Sequence, residues 1–211
     1  MQNTLTKEQI EASTDRNTGA ALAAKLRSVR VGVAGLGGLG SVVTSSLVRA
    51  GVCNLILADF DRVELSNMNR QLYRLDQIGM LKTDACEDNL LAINPHLRIE
   101  KLACTITADN TGDFISRVDI VAECFDNPAA KQMIVETALS RYPEKYIVAA
   151  SGLAGFGRSN MIQTRKISEK FQIVGDGEST LEKHCGLFAA RVGIAANHQA
   201  NAIIQLINEV F

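Results

Sequence analysis

The sequence predicts an α/β fold, an open sheet that is mainly parallel with an antiparallel extension and carries helices on both faces. Three observations support this. Short β-branched or apolar runs alternate with stretches of helical spacing along most of the chain. The first two such runs, with the turn and helix between them, occupy about 30 residues, the size of a βαβ unit with a right-handed crossover and parallel strands. The stretch AGLGGLGS, Ala34 to Ser41, joins the first strand to its helix and is glycine-rich where the backbone must turn sharply.

The elements follow in order. Residues 1–27 are a polar, helical lead-in. SVRVGVA (28–34) reads as a strand that runs straight into the glycine turn. SVVTSSLVRAG is a helix closed by Gly51, a residue favoured at helix C-termini. NLILAD, Asn54 to Asp59, is a second buried strand, and a polar segment (60–82) follows it. Next come a helix (83–93) stopped by Asn94-Pro95, a strand (97–103), a helix (109–116) and the strand VDIVAEC. A helix from Pro128 to Ser140, the strand KYIVAAS, a hairpin strand SNMIQTRKI, a loop (174–186) and a small-residue helix from about Gly186 to Glu209 complete the pattern. No repeat, low-complexity tract or linker divides it, so 1–211 is expected to be one domain.

Composition excludes several functions. With 22 basic and 23 acidic residues, the net charge is −1, and no global field attracts nucleic acid or an anionic membrane. The five cysteines, Cys53, Cys86, Cys104, Cys124 and Cys185, form no C-x-x-C pair, which argues for reduced thiols and against structural zinc. The first residues lack the apolar core of a signal peptide, so a soluble, cytoplasmic protein is expected. His96, His184 and His198 have no clustered carboxylates or thiols and read as structural or surface groups, and Cys53, Cys86, Cys104 and Cys124 read as packed in or beside apolar elements.

The chemistry lies around the glycine turn. Gly35, Gly37 and Gly40 fit G-x-G-x-x-G, with Gly38 as an additional glycine. The first allows the turn, the second lets a phosphate approach the backbone, and the third brings helix and strand together, in a Rossmann-like arrangement. Asp59, at the end of the second strand, stands where a carboxylate grips ribose hydroxyls. To this point NAD and ATP fit equally well. Beyond Asp59, however, the run DFDRVELSNMNRQLYR places Asp61, Asn67, Asn69, Arg70, Gln71 and Arg74 past a strand's carboxyl end, with Lys82 shortly after, and Asp126 and Asn127 follow a later strand to the same edge. A triphosphate brings about four negative charges, and Arg70, Lys82 and a Mg²⁺ held by Asp126 would supply about four positive ones. A pyrophosphate needs no such set, so the charge balance favours ATP with Mg²⁺ over an NAD-dependent oxidoreductase.

AGLGGLGS, RAGVCNLILADFDRVELSNMNRQ, IGMLKTD, INPHLRIE and ECFDNPAAK together resemble the ThiF/MoeB/HesA family, relatives of ubiquitin-activating enzymes, from about Val31 to the end. ASGLAGFGRSN and GLFAARVGIAANHQAN look most like its compact ThiF-type members of thiamine biosynthesis. The resemblance implies ATP-dependent adenylation of the C-terminal glycine of a small β-grasp sulfur carrier protein (ThiS-like, ending in Gly-Gly). A separate sulfur donor protein would act afterwards, and the enzyme would be a homodimer. It implies that Gly35, Gly37, Gly38, Gly40, Asp59, Asp61, Ser66, Asn67, Asn69 and Gln71 bind the nucleotide, that Arg70 and Lys82 stabilise charge at the α-phosphate and leaving pyrophosphate, that Asp126 binds Mg²⁺, and that Asn127 shapes the pocket. Larger relatives carry two C-x-x-C pairs for zinc, and both are missing here. Cys185, beside Lys183 and His184, stands near the place of a sulfur-transfer cysteine, against the alternative of an incidental loop thiol. Arg16 matches an arginine lent across a dimer by position only. A member of the fold that binds a partner without catalysis is the remaining alternative.

Overall fold

The computed structural model describes residues 5–180 and 186–211. Its seven strands are β1 (Arg30–Ala34), β2 (Asn54–Ala58), β3 (Arg98–Leu102), β4 (Ile120–Glu123), β5 (Tyr146–Ala150), β6 (Gln163–Lys166) and β7 (Phe171–Gly175), in the order β3-β2-β1-β4-β5-β7-β6. All pairs are parallel except β6 with β7. The chain steps outward from β1 to β3 on one side and from β4 on the other. The crevice between the carboxyl ends of β1 and β4 is therefore the topological switch point, where open α/β sheets hold ligands.

The helices are α1 (Lys7–Thr18), α2 (Ala20–Ser28), α3 (Gly38–Ala50), α4 (Lys82–Leu91), α5 (Thr111–Ser116), α6 (Pro128–Arg141) and α7 (Ala189–Val210). The side-chain alternation of the central strands divides the core in two. Val31, Val33, Leu55, Leu57, Ile120 and Val148 pack with Leu26, Val43, Leu47, Leu90 and Ile203 from α2, α3, α4 and α7. Ile56, Val121 and Ile147 face the other way, onto Phe114, Ile115 and Ile134 of α5 and α6. Gly32 lies between them: a Cβ there would stand 2.8 Å from the Phe114 ring, so the bare backbone lets that ring lie on the sheet.

Three expectations change. The lead-in is two helices broken at Gly19, whose φ is 84°, with α1 started by a Thr6–Gln9 capping box. The hairpin strand begins later than expected, after a 3₁₀ turn at Ser159–Met161, and residues 174 and 175 of the expected loop belong to β7. β7 is defined by its partners: it runs parallel to β5, with Ile147 opposite Phe171 and Ala150 opposite Val174, and antiparallel to β6. Finally, the small residues of α7 are used within the chain, where Ala195, Ala196, Ala200 and Ala202 are buried in the main core. They provide no separate argument for a dimer.

At the carboxyl end of β7, Asp176 is buried against Arg191 at the start of α7, their side chains only 3% and 4% exposed. Arg191 also donates to the carbonyls of Gly157 and Arg158, while Asp176 Oδ1 accepts from the N–H groups of Glu178 and Ser179 and from the Ser179 hydroxyl. Burial opposes the Asp176 charge, but these donors together hold its carboxyl below the usual range. Arg158 adopts a left-handed conformation (φ 47°) where its carbonyl meets Arg191.

Two stability predictions follow from this packing. A Cβ at Gly40 would lie 1.9 Å from the Gly35 carbonyl oxygen, so Gly40→Ala is expected to cost about 2 kcal/mol or more in urea unfolding. A loss under about 0.5 kcal/mol would show that the helix can shift freely. Asp176→Asn leaves a buried guanidinium without its carboxylate and is expected to cost about 3–5 kcal/mol at pH 7. Because the folded Asp176 pKa is depressed, its contribution is fully present above its unfolded value of about 3.9 and is lost as pH falls through the folded value. The difference in unfolding free energy between wild type and Asp176→Asn should therefore stay level from pH 7 to about 5 and narrow in stronger acid.

Candidate active site

The glycine turn sits at the switch point and joins three separated segments. Gly35 has φ +92°, its N–H donates to the Ala58 carbonyl (2.8 Å), and a Cβ on it would lie 2.8 Å from the Cys124 carbonyl oxygen. The ends of β1, β2 and β4 therefore meet at one backbone position. Gly37 starts α3 without a side-chain cap, and the space beside it is open apart from Gln71 Nε2 at 3.8 Å. The first N–H groups of a 13-residue helix thus remain available to an anion, with about half a positive charge of helix dipole behind them. At Gly38 the bare side faces Val192 (3.1 Å) and Arg70 (3.5 Å), so it lets α7 and Arg70 close onto the turn.

Asp59 is buried and acts first as a clamp. Its Oδ2 accepts from Leu36 N (2.6 Å) in the glycine turn, and its Oδ1 accepts from Asp61 N (2.8 Å). Each oxygen retains a lone pair, so a ribose hydroxyl can still donate to it. Tyr73, which sequence reasoning missed, fixes the turn from the other side by donating to the Leu36 carbonyl (2.7 Å).

Lys82 opens α4 and is 6% exposed, with Nζ 2.7 Å from the half-exposed Asp61 carboxylate. This pairing offsets the unfavourable placement of a cation at a helix N-terminus. It gives Asp61 a partner within the chain while leaving its carboxylate half-exposed. Arg70 donates to the Ser66 carbonyl (3.0 Å) and Asn69 Oδ1 (2.8 Å), and among the described residues no carboxylate pairs with it. Asn67 is buried and accepts from Glu64 N (3.0 Å), which shapes the 3₁₀ turn Leu65–Asn67, and Ser66 donates to Glu64. Asn69 reaches the Leu187 carbonyl (3.2 Å), and Arg74 turns away to Asp76 and Asp88. Gln71 is 7% exposed, and its Oε1 has no hydrogen-bond partner. An orphaned buried amide beside the glycine turn costs about 1–3 kcal/mol unless a ligand satisfies it.

Asp126 is exposed on the turn after β4, with no hydrogen-bond or ion-pair partner among the described residues. A single carboxylate suits Mg²⁺, which takes one or two protein carboxylates and completes its octahedron with phosphate oxygens and water. Among the described residues no group of three or more His, Cys, Asp or Glu could hold a metal. Asn127 has a structural partner of its own. Its Oδ1 accepts from Ala129 N and Ala130 N (2.9 and 3.0 Å), making it the N-cap of α6 and, with Pro128 behind it, a helix-start signal legible in the sequence. Behind this turn, Glu123 is fully buried and bound to Lys131. Burial pushes its carboxyl up, opposed by Lys131 and by the N–H groups of Phe125 and Ala150.

Other candidates lie elsewhere. Arg16 is exposed on α1, which packs by Gly51 at the far end of α3, so this chain does not bring it to its own site. Cys185, Lys183 and His184 lie outside the described residues. Cys86 and Cys124 are buried, and burial pushes the Cys86 thiol up to about 12 and the Cys124 thiol higher still. Cys53 is half-buried, while Cys104, expected in a packed position, is exposed just after β3. His96 contacts the Leu5 carbonyl and His198 contacts Thr164, both consistent with structural roles.

Comparison with known proteins bears on the family and the fold. Ubiquitin-like modifier-activating enzyme 5 of Caenorhabditis elegans is 38% identical over 150 residues, covering 66% of this chain and 35% of that protein. Its Xenopus laevis counterpart is 32% identical over 185 residues, covering 82% of this chain and 43% of that protein. The chain thus spans less than half the length of these relatives. Among solved structures, the Escherichia coli tRNA N6-threonylcarbamoyladenosine dehydratase TcdA in complex with ATP superimposes with a TM-score of 0.84 at 20% identity over 97% of both chains. Escherichia coli MccB with ATP does so with a TM-score of 0.73 at 21% identity, over 93% of this chain and 63% of that one. These two likenesses establish the fold. The ThiF family model matches residues 11–210, nearly the whole chain, and the protein belongs to the ThiF family.

Proposed function

We propose that the protein adenylates the C-terminal glycine carboxylate of a small β-grasp sulfur carrier protein of the ThiS type, releasing pyrophosphate, for thiamine biosynthesis in the cytoplasm. The observation that carries this reading is Arg70: its Cγ lies 3.5 Å from where a Gly38 Cβ would stand, in the first turn of α3, and its guanidinium has no carboxylate partner among the described residues. A site already neutral would have no use for that charge; one receiving a triphosphate would.

In the proposed reaction the phosphates lie along the uncapped start of α3, and Asp59 accepts a ribose hydroxyl with its free lone pair. The carrier carboxylate, ionised at neutral pH, attacks the α-phosphorus in line with the bond to the β-phosphate. That bond breaks, pyrophosphate departs, and a mixed carboxylic–phosphoric anhydride forms on AMP. No protein nucleophile or base is required, so orientation and charge stabilisation supply the rate. Arg70 faces the developing charge, and Lys82 shares its ammonium between Asp61 and the leaving group. Mg²⁺, held through Asp126, would neutralise the departing pyrophosphate.

NAD is disfavoured because a pyrophosphate gives no task to Arg70, Lys82 and Asp126 together. A tRNA substrate, suggested by the name of the TcdA neighbour, is disfavoured by 22 basic against 23 acidic residues. Capture of a small protein accords with the names of the modifier-activating relatives. The homodimer, the separate sulfur donor and the trans role of Arg16 rest on the family resemblance.

Carrier-dependent exchange of labelled pyrophosphate into ATP tests the proposal; its absence with every Gly-Gly-terminated carrier tried would refute it. Arg70→Ala should lower exchange at least tenfold, about 1.4 kcal/mol of barrier. Asp126→Ala should abolish exchange while unfolding cooperatively at the wild-type temperature, and near-normal exchange would remove Asp126 from the mechanism. Cys185→Ser should leave exchange unchanged, with only transfer of sulfur to the carrier at risk.

A further inference from the structure

Glu123 closes β4 with 0% exposure, yet the adenylation mechanism gives it no contact with substrate. A buried carboxylate must be accounted for, because an apolar pair of similar volume would hold the fold at least as well as a buried ion pair. What an apolar side chain cannot do is accept a hydrogen bond. Glu123 Oε1 accepts the N–H of Phe125 (2.7 Å), the residue directly before Asp126. Lys131 Nζ donates to both carboxylate oxygens at 2.9 Å, and Lys131 N donates to the Asn127 carbonyl, so the cation that neutralises Glu123 stands one helical turn into α6. Strand end, turn and helix start thus form a closed ring that runs through Asp126.

The other side of the turn is anchored as firmly. Gln199 of α7, itself 0% exposed, donates to the carbonyls of Glu123 (2.9 Å) and Val148 (2.8 Å) and accepts from the Cys124 thiol. Cys124 N donates to the Ala34 carbonyl (2.8 Å), at the entrance to the glycine turn. Residues 124–127 are therefore fixed at both flanks, and Asp126 is the carboxylate left exposed.

We propose that Glu123, held by Lys131, is a positioning residue that sets the Asp126 carboxylate where it meets Mg²⁺·ATP, without touching the nucleotide itself. This rests on the adenylation reading of the site.

The test is calorimetric binding of ATP with Mg²⁺ and with EDTA, which needs no turnover. The variant Glu123→Leu/Lys131→Met removes both charges together, so no buried charge is stranded. It should unfold cooperatively within a few degrees of wild type, yet lose at least tenfold in affinity for Mg²⁺·ATP while changing less than twofold for ATP in EDTA. Adding Asp126→Ala should then cause no further loss, because the two changes remove the same interaction. Should the double variant not unfold cooperatively, Lys131→Met, at a position still 23% exposed, carries the test: a loss of threefold or more in the Mg²⁺-dependent gain, restored by Lys131→Arg. Retention of the wild-type gain in either variant, beside an Asp126→Ala variant that has lost it, would overturn the positioning role alone. A wild-type chain that binds ATP no tighter with Mg²⁺ than without would overturn the reading of the site and this inference with it.

Discussion

The close approach of backbones at the carboxyl end of β1 is the constraint on which the rest of the site depends. Gly40 can sit over the Gly35 carbonyl, and Gly35 over the Cys124 carbonyl, only because neither carries a side chain. With α3 pressed onto β1 in this way, its uncapped N-terminus points into the crevice between β1 and β4. Any side chain at Gly40 would have to move the helix, and its uncapped end would move with it. The helix dipole is thus aimed by steric contact, and its electrostatic use follows from that geometry.

One device recurs around that edge. Asp59 after β2, Glu123 at the end of β4 and Asp176 after β7 each use a carboxylate oxygen to accept the N–H of the residue two positions on. Each thereby converts the end of a strand into a defined turn, and each has further donors that offset its burial: Leu36 N for Asp59, Lys131 for Glu123, Arg191 and Ser179 for Asp176. These acids stabilise loop shape, while Arg70 and Asp126 are left without partners of opposite charge among the described residues. The division makes physical sense, since a charge already satisfied internally gains little from a ligand, whereas an unsatisfied one gains a full charge-assisted interaction.

Much of this was legible in the sequence where local chemistry dominates. The glycine spacing, the strands of the first βαβ unit, Gly51 as a helix stop and Asp59 at a strand end each depend on neighbours close along the chain. Legibility failed where long-range partners decide. FQIVG becomes a strand because β5 and β6 offer hydrogen bonds on both sides, and no period in five residues announces that. Nothing local marks Glu123 and Asp176 as partners of Lys131 and Arg191, which reach them from helices, and Cys104 looked packed until the end of β3 left it in solvent. The packing use of Gly38 was not legible either, because Val192, which lies against it, is 154 positions away.

By itself, then, the sequence determined the fold class, the glycine turn at the start of α3 and the residue types that crowd the sheet's carboxyl edge, because those follow from backbone freedom, strand and helix period, and short-range charge. Only the tertiary structure decided which of those charges are already paired and which remain open to a ligand. Lys82 and Asp61 neutralise one another across 21 positions, Asp59 is drawn into the glycine turn, and Arg70 and Asp126 are left without counter-charges among the described residues. Pairing depends on distances of a few ångströms between groups far apart in the chain, and such distances exist only once the core has closed.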